Sequence, residues 1–311
     1  MKTRTIVGLS VPLIATGALA ATAEKFYQFA FKRIDYIPNA GATMLKYAPD
    51  YYTDVNWVKM RPDLAVWHQE APDGERLSAL WVPCRGSHKA VVIGHGYKGT
   101  GITMSNYARM FHRMGFNVLM PDDRGHGGSG SNYISFGWLD RLDYLRWIDQ
   151  IVAHLGSEVA ILLFGTSMGG ATVSLVSGEK HLQSQVKAVV EDCGYSSLDG
   201  EFTYVLKHVF HLPRRPIVPL ASLINYRRLG YFFKAVDVAG ALSRSKLPLL
   251  VIHGQEDTYV PTFMGRENFA AAGGPKDLWL VPGAAHAESY WVDPNQYQNH
   301  IASFLDTYFR Y

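Results

Sequence analysis

From Leu64 onward, short apolar runs alternate with stretches in which apolar residues return every three or four positions. The runs are "AVVIGH", "FNVLMP", "EVAILLFG", "VKAVVED", "LPLLVIHG" and "DLWLVPG". They are short enough for strands and too apolar for strands with one wet face, so the pattern predicts strands covered on both sides. Before them, "LAVWHQ" and "RLSALWV" flank "APDGE", whose Asp-Gly pair predicts a β-hairpin. Between the runs, Met104, Tyr107, Ala108, Phe111 and Met114 have helical spacing and end at Gly115. Leu139, Leu142, Leu145, Ile148, Val152 and Leu155 mark a longer helix ending at Gly156. The last helix has Asp293 as N-cap and Pro294 at its first position, with Tyr297, Ile301, Phe304, Leu305 and Tyr308 facing inward. Strands alternating with helices predict an α/β fold with a mostly parallel sheet.

The N-terminus follows a different pattern. Lys2 and Arg4 precede an uncharged run from Thr5 to Ala23, the layout of an export signal. Ala18-Leu19-Ala20 and Ala21-Thr22-Ala23 both fit an A-x-A cleavage site, and the run is nearly long enough for a membrane anchor. The expected organisation is a signal or anchor over 1–23, an aromatic-rich segment over 24–63 with a short helix near "EKFYQFAFKR", and a main domain over 64–311. The expected location is the outer face of the cell membrane, or outside the cell if the signal is cleaved.

Composition narrows the function. The 311 residues carry a net charge of only +3, with no basic stripe, which argues against nucleic acid as a partner. Two cysteines, Cys84 and Cys193, cannot build a disulfide framework. No HExxH or paired Cys/His spacing calls for a metal, and no motif calls for a cofactor.

The candidate chemistry lies in "LFGTSMGGA", where Ser167 stands between Gly165 and Gly169 directly after an apolar strand. A strand turning sharply into a helix strains the serine backbone, and the two glycines let neighbouring backbone come close. A serine hydroxyl needs a base, and the base needs an orienting acid. In this architecture the chain order is serine, acid, histidine, each after a strand. Asp257 and Glu256 follow "LPLLVIHG", with Asp257 preferred, and His286 follows "DLWLVPG". A tetrahedral intermediate needs backbone donors for its oxyanion, expected from the N–H groups of Met168 and of Tyr97 in "HGYKG". His95, Arg124 and His126 are read as shaping loops.

In order and spacing, "HGYKG", "DDRGHGGSG", "GTSMGG", "IHGQEDTYVP" and "AAHAESY" resemble the α/β-hydrolase superfamily over roughly Leu64 to Tyr311. More narrowly, "EDCGYSSLDGEF" and "EDTYVP" resemble N-terminally anchored serine hydrolases of Gram-positive bacteria, described as cell-surface esterases. The resemblance implies a Ser-His-Asp mechanism mapping to Ser167, His286 and Asp257. Residues 195–245 are too long for an ordinary connection and predict a cap. Its aromatic residues are read mainly as packing the cap onto the body, with some lining an acyl pocket. The expected activity is hydrolysis of short to medium acyl esters; an amidase or peptidase would use the same residues, and a silent binding protein on this fold is the reading from another class.

Overall fold

Eight strands coincide with the apolar runs and the hairpin: β1 (Ala65–Glu70), β2 (Arg76–Val82), β3 (Lys89–Gly94), β4 (Asn117–Pro121), β5 (Ala160–Thr166), β6 (Val186–Asp192), β7 (Leu249–Gly254) and β8 (Lys276–Val281). The structure, a computed structural model, describes residues 10–33 and 51–309. The strands form one sheet in the order β1-β2-β4-β3-β5-β6-β7-β8. β2 pairs antiparallel with β1 and with β4, and every later pairing is parallel. Alternate residues of one strand feed two cores. Ala90 and Val92 of β3 join one, and Val91 and Ile93 join the other. This is why the central strands read as unbroken apolar runs.

The helices are α1 (Ser10–Phe31), α2 (Tyr51–Lys59), α3 (Ser105–Arg113), α4 (Asp140–Leu155), α5 (Met168–Ser177), α6 (Leu198–His208), α7 (Arg214–Leu229), α8 (Val238–Arg244), α9 (Thr262–Ala271), α10 (Ser289–Val292) and α11 (Pro294–Tyr308). α11 starts as its sequence predicts, with the Asp293 carboxylate accepting from the Gln296 N–H at 2.9 Å. α4 is rotated from its expected face. Asp140, Asp143, Tyr144, Trp147, Ile148 and Ile151 are its buried residues, whereas Leu142 is exposed. The cause is polar: Asp143 takes the Arg124 guanidinium with both oxygens, at 2.6 and 2.9 Å, and Asp140 accepts from the Arg124 N–H at 2.8 Å.

α6, α7 and α8 make up the cap. The N-terminal helix α1 packs on this cap. Tyr27 and Phe31 are fully buried, and Phe31 stacks on Phe233 at 5.3 Å between ring centroids. The Tyr27 hydroxyl donates to Asn225 Oδ1 at 3.1 Å, and Arg228 pairs with Glu24 at 2.8 Å. Both A-x-A sites therefore lie inside a helix that continues into the folded body, without a structural break at Ala23. Among the described residues, no helix is long and apolar enough to cross a membrane. Lys2, Arg4 and the start of the uncharged run lie outside the described residues.

Candidate active site

At the end of β5 the chain reverses into α5 through Ser167, whose backbone has φ +58° and ψ −119°. Such a conformation costs a non-glycine residue about 1–3 kcal/mol and persists only where its surroundings hold it. Here the holding is visible. The Ser167 N–H donates to the Asp192 carbonyl at 2.7 Å. A Cβ on Gly165 would lie 2.2 Å from the Gly169 carbonyl oxygen, and one on Gly169 would lie 2.2 Å from the Gly94 carbonyl carbon. Only glycines let β3, β5 and the first turn of α5 meet this closely.

Ser167, His286 and Asp257 come together from the ends of three different strands. His286 Nε2 lies 2.9 Å from Ser167 Oγ, and His286 Nδ1 lies 2.7 Å from Asp257 Oδ2. The other oxygen of Asp257 accepts from the N–H groups of Tyr259 and Val260, both at 2.9 Å. One carboxylate thus closes its own turn and faces the imidazole. Burial alone would push Asp257 up; hydrogen bonds from His253 and His286 overcome this and hold it at about 2. Glu256 is exposed on the same turn and takes no part in this chain of contacts.

Met168 opens α5, so its N–H is among those with no acceptor inside the helix. The loop after β3 lies against the serine: a Cβ on Gly96 would sit 3.6 Å from Ser167 Cβ. Tyr97 and Met168 both border the cavity over Ser167. Within that loop the Gly99 N–H donates to the Gly96 carbonyl at 2.9 Å, and the Lys98 N–H to His126 Nε2 at 3.3 Å. His95 is fully buried; it accepts from the Asp123 N–H at 2.9 Å and bonds the Gly96 carbonyl at 2.8 Å. His95, Arg124 and His126 all act on loop backbone or on aspartates, and none touches Ser167.

The cavity holds about 530 Å³ of empty space, counted out to its open mouth, and its wall is largely aromatic. Phe202 and Phe210 of the cap border it, whereas Tyr231 and Phe233 pack away from it. Phe26, Phe29 and Ala30 of α1 also border it, a contribution the sequence did not announce. They lie in the aromatic-rich segment expected as a short helix near "EKFYQFAFKR", which carried no link to the site. Sequence reasoning also missed a buried acidic layer behind the site. Burial pushes Glu191 up to about 7 and Asp192 up to about 6. Asp192 accepts from the hydroxyls of Tyr297 at 2.9 Å and Ser289 at 3.1 Å.

Cys193 Sγ lies close enough to Asp257 and His286 for the three ligand atoms to fall within 4.8 Å of one another. The trio is a poor metal site. Both ring nitrogens of His286 are already engaged, and burial with nearby carboxylates pushes the Cys193 thiol well up, favouring its protonated form.

The chain has the α/β-hydrolase fold. An esterase of Pyrococcus furiosus superposes with a TM-score of 0.64 at 22% identity, covering 89% of this chain and 99% of that one. Residues 86–198 match the family Hydrolase_4, described as serine aminopeptidase S33. That stretch includes the loop after β3 and the elbow at Ser167, but neither Asp257 nor His286. The chain is also similar to the Bacillus subtilis protein YqkD, at 28% identity over 216 residues, 70% of each chain. A Mycobacterium tuberculosis protein, Rv2307c, is 26% identical over 302 residues, 95% of each chain.

Proposed function

We propose that the protein is a serine hydrolase cleaving carboxylic esters of short to medium acyl chains. The observation that carries this reading is the hydrogen-bonded line Ser167–His286–Asp257 at the base of a covered, mostly apolar cavity. In the proposed cycle, Ser167 Oγ attacks the ester carbonyl carbon while His286 Nε2 takes the hydroxyl proton. Asp257 holds the imidazole with Nδ1–H toward itself and stabilises the imidazolium. The N–H groups of Met168 and Tyr97 receive the oxyanion. Collapse of the intermediate expels the alcohol, which takes the proton from His286. Water then enters by the same route and releases the acid. No cofactor takes part.

An amide or peptide substrate is the second reading, supported by the match to a family described as serine aminopeptidase. We also place the protein at the outer face of the cell membrane through its N-terminal segment, on the strength of Lys2, Arg4 and the uncharged run from Thr5 to Ala23. The test of the reaction is labelling by a fluorophosphonate. Wild-type protein should label at one serine, and Ser167→Ala should fold but not label; full labelling of that variant overturns the assignment. Among 4-nitrophenyl esters of increasing acyl length, kcat/KM should rise by up to about fifteenfold for every two added methylenes, then peak and fall where the cavity ends. A steady rise through long chains would speak for a lipase, and turnover of anilides alone for a peptidase.

A further inference from the structure

The wall of the cavity holds one charged residue. Glu201, on α6, borders the same space as Ser167 and is 6% exposed. Its Oε2 is buried without a hydrogen-bond partner. None of the other residues bordering the cavity is basic. The neighbouring acid on α6, Asp199, shows the ordinary arrangement: it faces outward and pairs with Arg214 at 2.8 Å. Glu201 turns inward and has no such pair among the described residues. Lys98, over the rings of Phe29 and Tyr97 at 5.0 and 5.2 Å, does not form an ion pair with it either.

A carboxyl group buried in an apolar wall is costly unless something in the site answers it. Burial, together with the charge of Asp257, pushes Glu201 well above the usual carboxylate range. Among the described residues no counter-charge pairs with it, but the rings bordering the same cavity include Phe26, Tyr97, Phe136, Phe202 and Tyr259. Aromatic faces and one carboxylate are together the chemistry that recognises an ammonium ion: the faces offer negative quadrupoles, and the carboxylate offers full charge and a hydrogen-bond acceptor. A purely hydrocarbon acyl chain would need neither.

We infer that Glu201 is a specificity residue, and that the cavity accepts substrates carrying an ammonium group, which binds at Glu201 while the scissile carbonyl lies at Ser167. This deepens the proposed function and rests on it for turnover but not for binding. Glu201 gives up its own proton to solvent as the ammonium binds; the scissile bond and the proton path through His286 are unchanged, and the ammonium group is held and does not react.

Two measurements test it. The first needs no catalysis: n-hexylammonium and 1-hexanol are titrated into Ser167→Ala protein by calorimetry, with and without Glu201→Gln. The expected result is ammonium binding at least tenfold tighter than the alcohol, with the preference lost in Glu201→Gln and in a second variant, Glu201→Leu. Equal affinity for the two probes, or a preference that survives both Glu201 variants, overturns the inference. The second compares kcat/KM for the 4-nitrophenyl esters of 6-aminohexanoate and heptanoate, which differ only in a terminal ammonium or methyl group. Wild type should favour the ammonium ester by about tenfold, and Glu201→Gln should favour heptanoate. A wild-type preference for heptanoate that Glu201→Gln leaves unchanged also overturns it. If the ammonium binds at Glu201 but neither ester is cleaved, the binding inference stands and the hydrolase reading fails.

Discussion

At the scale of single residues, Asp257 shows how one side chain can hold both a turn and a histidine. Its Oδ1 is committed to two backbone N–H groups and its Oδ2 to His286, so Asn at this position cannot keep both sets of contacts. Asp257→Asn should lower kcat by about 10³- to 10⁴-fold in an ester assay, while Glu256→Gln should leave it within about twofold. The reverse ranking would make Glu256 the working acid. Asp192 offers a test of the buried acidic layer. Burial raises its pKa to about 6, so its ionised form costs stability: the wild type loses stability as pH rises from about 4 through 6. Asp192→Asn removes that charge, and the hydroxyls of Ser289 and Tyr297 can turn to serve the amide. Its stability relative to wild type should therefore rise by roughly 3 kcal/mol across that window and then level off, as read by denaturant melts at fixed pH. A pH-independent difference would show that Asp192 does not titrate there. Asp257 runs the other way: its contribution, present above about 4, is lost only as pH falls toward 2. Asp257 and His286 were legible in the sequence because each follows a recognisable strand. Asp192 and Glu201 were not, because only the assembled fold buries them.

At the scale of elements, the apolar pattern located strands well and helix faces less well. The strands are legible because two-sided burial makes every position apolar. α4 is not, because Asp140 and Asp143 face inward to hold Arg124, and a pattern of apolar residues cannot register an inward carboxylate. α1 joins two patterns in one helix, an uncharged N-terminal half and an aromatic C-terminal half docked on the cap, and the sequence alone did not show that they are continuous. The docked half should be structural. Phe31 is fully buried among Tyr27, Phe136, Phe202 and Phe233, so Phe31→Ala should cost about 3–5 kcal/mol in a denaturant melt. A chain beginning at Glu24 should keep its stability and ester activity; one beginning at Lys32 should lose both. Equal stability of the two would mean that α1 contributes nothing to the body.

At the scale of the whole molecule, the sheet order reverses around β3, which lies between β4 and β5. Ligands of open α/β sheets bind at such a point, outside the carboxyl ends of the strands. Tyr97 follows β3, Ser167 follows β5, Asp257 follows β7 and His286 follows β8, so this end of the sheet carries the whole candidate site. The cap lies over this end, and α1 crosses the cap with Phe26 and Phe29 at the cavity wall. The segment proposed to hold the protein at a membrane therefore continues directly into the roof of the cavity. Around that roof, Phe29, Val209, Phe210 and Leu212 are exposed apolar residues, and Phe29 and Phe210 meet at 5.8 Å between ring centroids. If the N-terminal segment enters a bilayer, the cavity mouth is held near its surface. The full chain should then sediment with membranes and hydrolyse esters dissolved in phosphatidylcholine vesicles faster than the chain beginning at Glu24, while both cleave water-soluble esters at the same rate. Val209→Asp with Leu212→Asp, outside the cavity wall, should reduce the vesicle rate without changing the soluble one. Recovery of the intact full chain in the cytosolic fraction would overturn the membrane assignment, and equal vesicle rates for the two chains would detach it from the chemistry.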